Sequence, residues 1–151
     1  MVVALRLVLA LLLSRFKPRI APLDAASVTM RVWPNDLDFN MHANSGRYVS
    51  FMDIGRVALL VRMRILRKVI ARKWRPLVAE ATITYRKSLL PFERFTVTSR
   101  IVRWDEKWFY FEHVITNAKG EVSAVGNVRG LLRGPNGNVP PADVVALGSH
   151  L

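Results

Sequence analysis

Residues 27–59 read SVTMRVWPNDLDFNMHANSGRYVSFMDIGRVAL, and this stretch decides the fold. Its first seven residues alternate in polarity and are rich in β-branched and aromatic types, which predicts a strand. A loop opened by proline follows over residues 34–43, and Asn44 or Ser45 can cap a helix. We expect that helix to run to about Arg72. Because apolar residues lie on two of its sides, it should be mostly buried.

Four further segments of the chain have the alternation of strands. They are separated by short turns rich in Gly, Asn and Asp, and they span residues 78–86, 95–104, 108–116 and 122–132. The long helix is the only large cover that the sequence offers for their apolar face. The predicted fold class is therefore α+β, a five-stranded antiparallel sheet wrapped around one central helix. An edge of that sheet stays exposed, and a second copy of the chain would cover it.

The composition limits both the size and the chemistry of the protein. With 151 residues, 51% of them hydrophobic, the chain has the size of one domain. We expect a short helix and linker over residues 1–25, the main domain over 26–133 and a loose tail over 134–151. The absence of cysteine excludes disulfides and thiolate chemistry. The three histidines lack a metal-binding spacing, so no metal site is predicted.

The positive charge of the chain is concentrated in its first half. The formal net charge is +12, and residues 1–75 hold 14 Lys and Arg against 4 Asp and Glu. Such an excess indicates an anionic partner, which can be nucleic acid, a membrane surface or a phosphorylated small molecule. No RNA-binding, zinc-finger or helix-turn-helix pattern accompanies the charge, so nucleic acid is not predicted.

The chain begins with an apolar run over residues 2–13 that is interrupted by Arg6 and followed by Arg15, Lys17 and Arg19. This run is shorter than the roughly 20 residues that cross a bilayer. Most of the basic residues follow this apolar run, whereas the basic residues of a signal peptide precede its apolar segment. We expect a short helix that packs on the domain or on a second subunit, and the alternative is a peripheral membrane contact through residues 1–19. The predicted location is cytoplasmic.

Two carboxylates, Asp36 and Asp38, stand directly before the predicted helix. The start of a helix offers unpaired backbone N–H groups and the positive end of the helix dipole, which can stabilise an oxyanion. A nearby carboxylate can attack a carbonyl or activate water. Aspartates before helices are most often turn formers and caps, so this pattern by itself is weak evidence for catalysis.

The loop resembles the signature of the hotdog-fold acyl-CoA thioesterases of the 4-hydroxybenzoyl-CoA thioesterase type, Asp-x-Asp-x-x-Gly-His-Val-Asn-Asn-x-x-Tyr. The matching positions are Asp36, Asp38, His42, Asn44 and Tyr48. The sequence departs from the signature at Met41, where glycine is usual, and at Ala43 and Ser45. Wider stretches are similar to the branch called thioesterase superfamily member six and its bacterial relatives. The resemblance implies the hotdog fold.

The resemblance also implies roles for residues of the loop. Asp38 falls on the catalytic carboxylate, acting as nucleophile or as general base, and these two routes stay open. The backbone N–H that polarises the thioester carbonyl falls near Ser45. His42 would orient Asp38 or line the pocket, and Asp36 would hold the loop through backbone N–H groups. The residues expected to contact substrate are Asn44, Arg47, Tyr48, Arg86 and Lys87.

Some of these contact residues have a second interpretation. Asn44 is expected to cap the helix, and Tyr48 to pack under the loop. The basic side chains of Arg47, Arg86 and Lys87 would bind the phosphates of coenzyme A.

The resemblance implies a thioesterase that cleaves acyl-CoA to a free acid and coenzyme A without a metal or other cofactor, as a homodimer or a dimer of dimers. Two alternatives stay open. The run Asp38-Phe39-Asn40-Met41-His42 is similar to a hydratase motif of the same fold but lacks its proline. The chain could instead be a non-catalytic acyl-CoA or lipid-binding protein.

Overall fold

The computed structural model describes residues 2–148 and contains the predicted succession of a strand, a helix and four strands. The helices are α1 (Val2–Arg15), α2 (Arg47–Arg62), α3 (Leu66–Ala71) and α4 (Pro141–Ala146). The strands are β1 (Ala26–Arg31), β2 (Arg75–Tyr85), β3 (Arg94–Trp104), β4 (Phe109–Thr116), β5 (Val122–Gly134) and β6 (Gly137–Val139).

The strands form one antiparallel sheet in the order β1-β3-β4-β5-β2, and the short β6 pairs with β5. Tight turns join β3 to β4 and β4 to β5. In the first turn, Asp105 Oδ1 accepts the N–H of Lys107 (2.9 Å) and of Trp108 (2.7 Å). In the second, Gly120 has φ = 82°, a conformation that glycine adopts without steric cost. The edges of the sheet are therefore β1 and β2.

Helix α2 packs across the part of the sheet that β1 and β3 form. Its residues Phe51, Met52 and Ile54 are buried in this core. At Gly55 the helix approaches β3 so closely that any side chain would overlap Ser99. The helix leaves β2 uncovered, because every residue of that strand except Ile83 is exposed. The predicted arrangement of a sheet around one central helix is therefore present, and its β2 end is exposed.

The prediction of one helix that reaches about Arg72 is wrong in its second half. Helix α2 ends at Arg62, and α3 begins at Leu66. Between them, Arg64 has φ = 64°, the left-handed conformation that a right-handed helix excludes. The break allows Met63 and Ile65 to be buried together, at 3% and 0% exposure.

The prediction of a loose tail from residue 134 is wrong for the residues that the structure describes. Strand β6 pairs with the end of β5, and α4 follows it. Val139 and Val144 are buried in an apolar cluster that also contains Leu59, Met63 and Ile65. Lys68 Nζ in α3 donates a hydrogen bond to Leu147 O at 2.8 Å, which ties the tail to the domain. Residues 149–151 of the predicted tail lie outside the described residues.

The N-terminal helix α1 packs on α2 and touches β1, as one of the two predictions for it proposed. It has 14 residues. Within residues 2–148, no helix combines the length and the apolar character that crossing a membrane requires. The cytoplasmic location stays a prediction.

Candidate active site

Asp36 lies fully buried at the base of the loop before α2. Its carboxylate forms an ion pair with Arg6, whose Nη1 donates to Oδ1 at 2.8 Å, and it accepts the N–H of Trp33 at 2.8 Å. Its backbone carbonyl accepts the N–H of Asn44 at 2.6 Å. Asp36 thereby connects both ends of the loop to α1, so its contacts are those of a structural residue.

The tip of the loop is a narrow hairpin that a β-bridge between Leu37 and Ala43 closes. Within it, the N–H of Asp38 donates to the carbonyl of His42 at 3.0 Å. Met41 stands at the turn with φ = 59°. Glycine, which the resembled signature has here, adopts this conformation readily, whereas another residue loses about 1–2 kcal/mol. Met41 therefore keeps the turn at a cost in stability.

Asp38 is half-buried, and its carboxylate is only lightly engaged. Oδ1 accepts the N–H of Asn40 at 2.9 Å, and the described residues give the carboxylate no other hydrogen bond and no ion pair. The ring of His42 makes no hydrogen bond to Asp38 or to any other described residue. The two residues are joined through their backbones alone, so the expected orienting contact is not formed.

The turn directly before α2 contains a backbone donor without an acceptor. In the part of the chain that the structure describes, the N–H of Ser45 has no acceptor. The side chain of Asn44 accepts the N–H of Gly46 at 2.8 Å, which forms an Asx turn. Gly46 itself occupies the capping position, so the prediction that Asn44 caps the helix is wrong by two residues. Because a helix begins with positive partial charge, the Ser45 N–H can stabilise an oxyanion.

Two of the expected contact residues are occupied within the fold. Arg47 Nη2 donates to Asn35 O at 3.0 Å, and Arg47 Nε lies 3.7 Å from Asp36 Oδ1. Tyr48 is 3% exposed, and its hydroxyl lies 3.3 Å from Ser123 Oγ. Burial raises the pKa of Tyr48. Tyr48 therefore packs under the loop, as the alternative prediction for it holds, and Arg47 supports the loop from the helix.

Arg86 and Lys87 directly follow β2. They lie at the end of this strand that is close to the start of α2. Their N–H groups both donate to Ser123 O, at 2.8 and 3.1 Å. The hydroxyl of Tyr85, one residue earlier, donates to Ser45 O at 3.0 Å and thereby fixes this end of the strand beside the helix start. The side chain of Arg86 is exposed, and that of Lys87 forms an exposed ion pair with Glu121. Both side chains stay accessible to an anionic ligand.

A cavity of about 450 Å³ lies beside the second half of α2. Apolar side chains of α2, β2, β4 and β5 line most of it, and residues 36–48 do not line it. Asp53 and Arg56 are the charged residues in its wall. Asp53 lies six residues beyond the start of α2 at Arg47, which is about 9 Å along the helix axis. In one copy of the chain, the apolar cavity and the loop that carries Asp38 are therefore separate.

A buried polar network supports the charged part of the cavity wall. Arg56 forms an ion pair with Asp53, and its Nη1 lies 3.0 Å from His113 Nε2. His113 Nδ1 lies 2.7 Å from Ser99 Oγ. Because arginine only donates, Nε2 is the acceptor and Nδ1 carries the hydrogen. Burial lowers the pKa of His113 from 6.5 to about 3, so the ring is neutral at pH 7. Burial also raises the pKa of Asp53 and lowers that of Arg56.

Within residues 2–148, no three His, Asp or Glu side chains form a group that could hold a metal ion.

Residues 32–141 match the family model of the thioesterase-like superfamily, and the match contains the loop, α2 and β2 to β5. The chain belongs to the thioesterase-like superfamily. This membership agrees with the resemblance that the motif of the loop carries.

Several proteins of other organisms are similar to this chain in sequence. Protein THEM6 of Danio rerio is 38% identical over 111 residues, which are 72% of this chain and 55% of the relative. Protein THEM6 of Xenopus laevis is 37% identical over 95 residues, which are 62% of this chain and 46% of the relative. A probable thioesterase of Saccharomyces cerevisiae is 32% identical over 91 residues, 59% of this chain and 39% of the relative. The chain thus spans about half the length of the two THEM6 relatives.

Solved structures of thioesterases resemble this member of the superfamily in fold. The DHNA-CoA thioesterase of Staphylococcus aureus has a TM-score of 0.74 at 14% identity, over 83% of this chain and 89% of its own. The probable thioesterase YbaW of Escherichia coli has a TM-score of 0.72 at 20% identity, over 82% and 95%. A hypothetical protein of S. aureus, solved in complex with CoA, has a TM-score of 0.72 at 17% identity, over 88% and 85%. The predicted hotdog fold is confirmed.

Two buried polar contacts near the loop and the cavity were not predicted from the sequence. One is the ion pair that Arg6 makes with Asp36, and its signal was a single charge inside an apolar run. The other is the inward-facing His113, whose signal was a histidine on the apolar face of an alternating strand. Neither signal predicts which residue the side chain contacts. Arg6 and Asp36 are 30 positions apart, and His113 and Ser99 are 14 positions apart.

Proposed function

We propose that this chain hydrolyses an acyl-CoA thioester to a carboxylic acid and coenzyme A. The observation that carries the proposal is the lightly engaged carboxylate of Asp38, seven residues ahead of the unpaired N–H of Ser45 at the start of α2. Membership of the thioesterase-like superfamily supports the reaction class. The S. aureus neighbour that was solved with CoA supports coenzyme A as the carrier.

The proposed reaction is an attack on the thioester carbonyl carbon while its oxygen accepts the Ser45 N–H. Asp38 would either attack that carbon and form a mixed anhydride, which water then cleaves, or take a proton from the attacking water. In both routes the bond between carbon and sulfur breaks, and the sulfur of coenzyme A takes a proton. Removing one donor to an oxyanion costs about 3–4 kcal/mol of transition-state stabilisation. The proposal involves no metal or other cofactor.

The phosphates of coenzyme A would bind at the exposed end of β2. The side chain of Arg86 has no hydrogen bond or ion pair among the described residues, and Lys87 can exchange its exposed partner Glu121 for a phosphate. Arg47 is a weaker candidate, because Asn35 and Asp36 already engage its guanidinium.

We also propose that two copies pair along β2 and complete the site. This strand has 11 residues, its outer edge is unpaired, and its first residues line the apolar cavity. Its last residue, Tyr85, lies beside the start of α2. If two β2 strands pair antiparallel about a two-fold axis, the cavity end of one copy meets the loop end of the other. The cavity would then receive an acyl chain whose thioester lies at the Asp38 of the second copy. A dimer of dimers would repeat this unit.

The reaction is tested by measuring thiol release from a panel of acyl-CoA thioesters, from short to long chains and aromatic acyl groups. Wild type, Asp38→Asn and the control Glu106→Gln would be compared, since Glu106 is an exposed turn residue far along the chain from the loop. We expect release by wild type and the control and its loss in Asp38→Asn. No release from any substrate, with acyl-CoA still raising the melting temperature of wild type, would instead favour the non-catalytic binding protein.

The pairing is tested by sedimentation of wild type and Val78→Lys. Val78 is 49% exposed on the bare edge strand, and charges on an edge prevent edge-to-edge pairing. We expect a dimer or tetramer for wild type and a monomer with little hydrolysis for the variant. A wild-type monomer that hydrolyses acyl-CoA would rule out the pairing and leave the reaction intact.

A further inference from the structure

Helix α1 turns polar side chains toward the domain and large apolar side chains outward. A helix on a water-facing surface has the opposite arrangement. Toward the domain it buries Arg6, Ala10 and Ser14, at 6%, 3% and 1% exposure. Outward it carries large apolar side chains that are 49–85% exposed, and we call them the α1 stripe: Leu5, Val8, Leu9, Leu12, Leu13 and Phe16. A contiguous apolar patch of this kind marks an interaction surface.

The apolar surface continues beyond the α1 stripe onto the loop after β1. Trp33 and Phe92 meet edge to face, with ring centroids 6.3 Å apart, and they are 43% and 53% exposed. A shallow groove of about 330 Å³ connects Trp33 to Leu9 and Leu13. Amphipathic aromatic rings such as that of tryptophan are favoured at the boundary between lipid and water.

The charged side chains that line the groove beside the α1 stripe are all basic. Arg31 and Arg94 belong to this lining, Arg15 is the last residue of the helix, and Lys17 and Arg19 follow it. Residues 2–23 contain no acidic side chain. Basic residues that flank an apolar helix face are attracted to anionic lipid headgroups.

We propose that the α1 stripe docks on the surface of an anionic lipid bilayer. The helix has 14 residues and is about 21 Å long, which is shorter than the roughly 30 Å of hydrocarbon in a bilayer. The ion pair between Arg6 and Asp36 holds it against the domain. It therefore lies in the plane of the interface, with the leucines toward the acyl chains and the arginines toward the headgroups. This contact lies at the β1 side of the sheet, so it is independent of the proposed reaction and of pairing along β2.

The experiment measures co-sedimentation of the full chain with vesicles of phosphatidylcholine, with and without about 30% phosphatidylserine. Leu13→Glu is compared with the matched control Ile70→Glu. Both residues lie on helices, they are 59% and 64% exposed, and both changes add one negative charge. We expect wild type to bind the phosphatidylserine vesicles and high salt to weaken the binding. Leu13→Glu should lose about tenfold in partitioning, which is about 1.4 kcal/mol, and Ile70→Glu should change it less than about twofold.

A second measurement locates the contact. Lipids brominated in their acyl chains quench a tryptophan that enters the interface, and we expect Trp33→Phe to remove most of the quenching that wild type displays. Equal losses in Leu13→Glu and Ile70→Glu would overturn the proposal, because general charge would then explain the binding. Absence of wild-type binding to anionic vesicles would also overturn it. If the Leu13→Glu variant instead has a smaller oligomer while wild type ignores vesicles, the α1 stripe is a contact between protein chains. Thioester hydrolysis of a water-soluble substrate should be equal in all these variants.

Discussion

Two arginines of this protein pair with aspartates in similar ways but in different surroundings. The guanidinium of Arg6 lies 5.2 Å from the ring centroid of Phe51, and that of Arg56 lies 5.9 Å from the centroid of Phe111. The Arg6 and Asp36 side chains are 5% and 0% exposed. In the second pair the exposure is 14% for Arg56 but 58% for its partner Asp53.

The difference separates a structural pair from one that faces the cavity. The buried pair of Arg6 with Asp36 fixes the loop that carries Asp38. Breaking it would leave the Asp36 carboxylate shielded from water and without its closest cation. The pair with Asp53 forms part of the cavity wall, and its carboxylate can return to water. An ion pair of the same chemistry therefore holds the loop that carries Asp38 in one place and lines the proposed acyl site in the other.

The largest effect is expected from breaking the buried pair. Arg6→Met should lower the free energy of unfolding by about 3–5 kcal/mol, because it leaves the buried carboxylate of Asp36 with only the N–H of Trp33 and the more distant guanidinium of Arg47. Arg56→Met should lower it by only about 1–2 kcal/mol, since Asp53 regains water and the main loss is the hydrogen bond to His113. Urea denaturation of wild type and both variants measures these differences. Equal losses in the two variants would contradict the contrast between the pairs.

The next largest effect is the pH dependence of stability that His113 causes. This histidine contacts Arg56 of the ion pair in the cavity wall. At pH 5 an unfolded histidine, with a pKa near 6.5, binds a proton, whereas folded His113, with a pKa of about 3, does not. The unfolded state therefore binds more protons in this range, so His113 makes the stability fall as the pH decreases from about 6.5 toward 3. Above about pH 6.5 histidine is neutral in both states, so His113 does not lower the stability there. The slope should reach about 1.4 kcal/mol per pH unit.

This pH dependence is measured by urea denaturation of wild type and His113→Gln between pH 7 and pH 4. Other carboxylates titrate in both proteins, and the raised pKa of Asp53 acts in the opposite direction, so the difference between the two curves isolates His113. Parallel curves would mean that His113 is not buried in its neutral form.

The smallest effect is expected at Met41, in the turn of the loop that carries Asp38. Met41→Gly removes the left-handed strain but adds backbone entropy to the unfolded chain, so we expect the free energy of unfolding to rise by about 0.5–1 kcal/mol. Thiol release should continue, because the backbone shape of the loop is unchanged. A melting curve on each protein checks the sign, and a clear loss of stability would mean that the side chain of Met41 makes contacts that the loop requires.

The parts of the fold that sequence reasoning predicted are those with local signals. Strands alternate with period two, and the loop motif lies in one continuous stretch, so the succession of strands along the chain and the helix directly after the loop followed from the sequence. The break between α2 and α3 did not, because Arg64 adopts its left-handed conformation so that Met63 and Ile65 can both be buried. The ordering of the tail depends on the contacts of Val139 and Val144 with distant residues, whereas its glycines and prolines signal only turns.

The candidate site was predictable to the same extent. Aspartate and helix start are close in sequence, but the role of each neighbour depends on the three-dimensional fold. Arg47 and Tyr48 were expected to contact substrate and are occupied by the loop and by Ser123. The separation of the cavity from Asp38 follows from where β2 lies relative to α2, which no local pattern encodes.

The most direct test of the account compares Asp38→Asn with Asp53→Asn in the same two measurements, the kcat of thiol release from the best acyl-CoA substrate and the free energy of unfolding. The account predicts that Asp38→Asn loses about 10²–10⁴-fold in kcat with less than about 1 kcal/mol of stability, while Asp53→Asn keeps most of its kcat. If Asp38→Asn hydrolyses at the wild-type rate and Asp53→Asn does not, the reacting carboxylate lies in the cavity wall and the account is wrong.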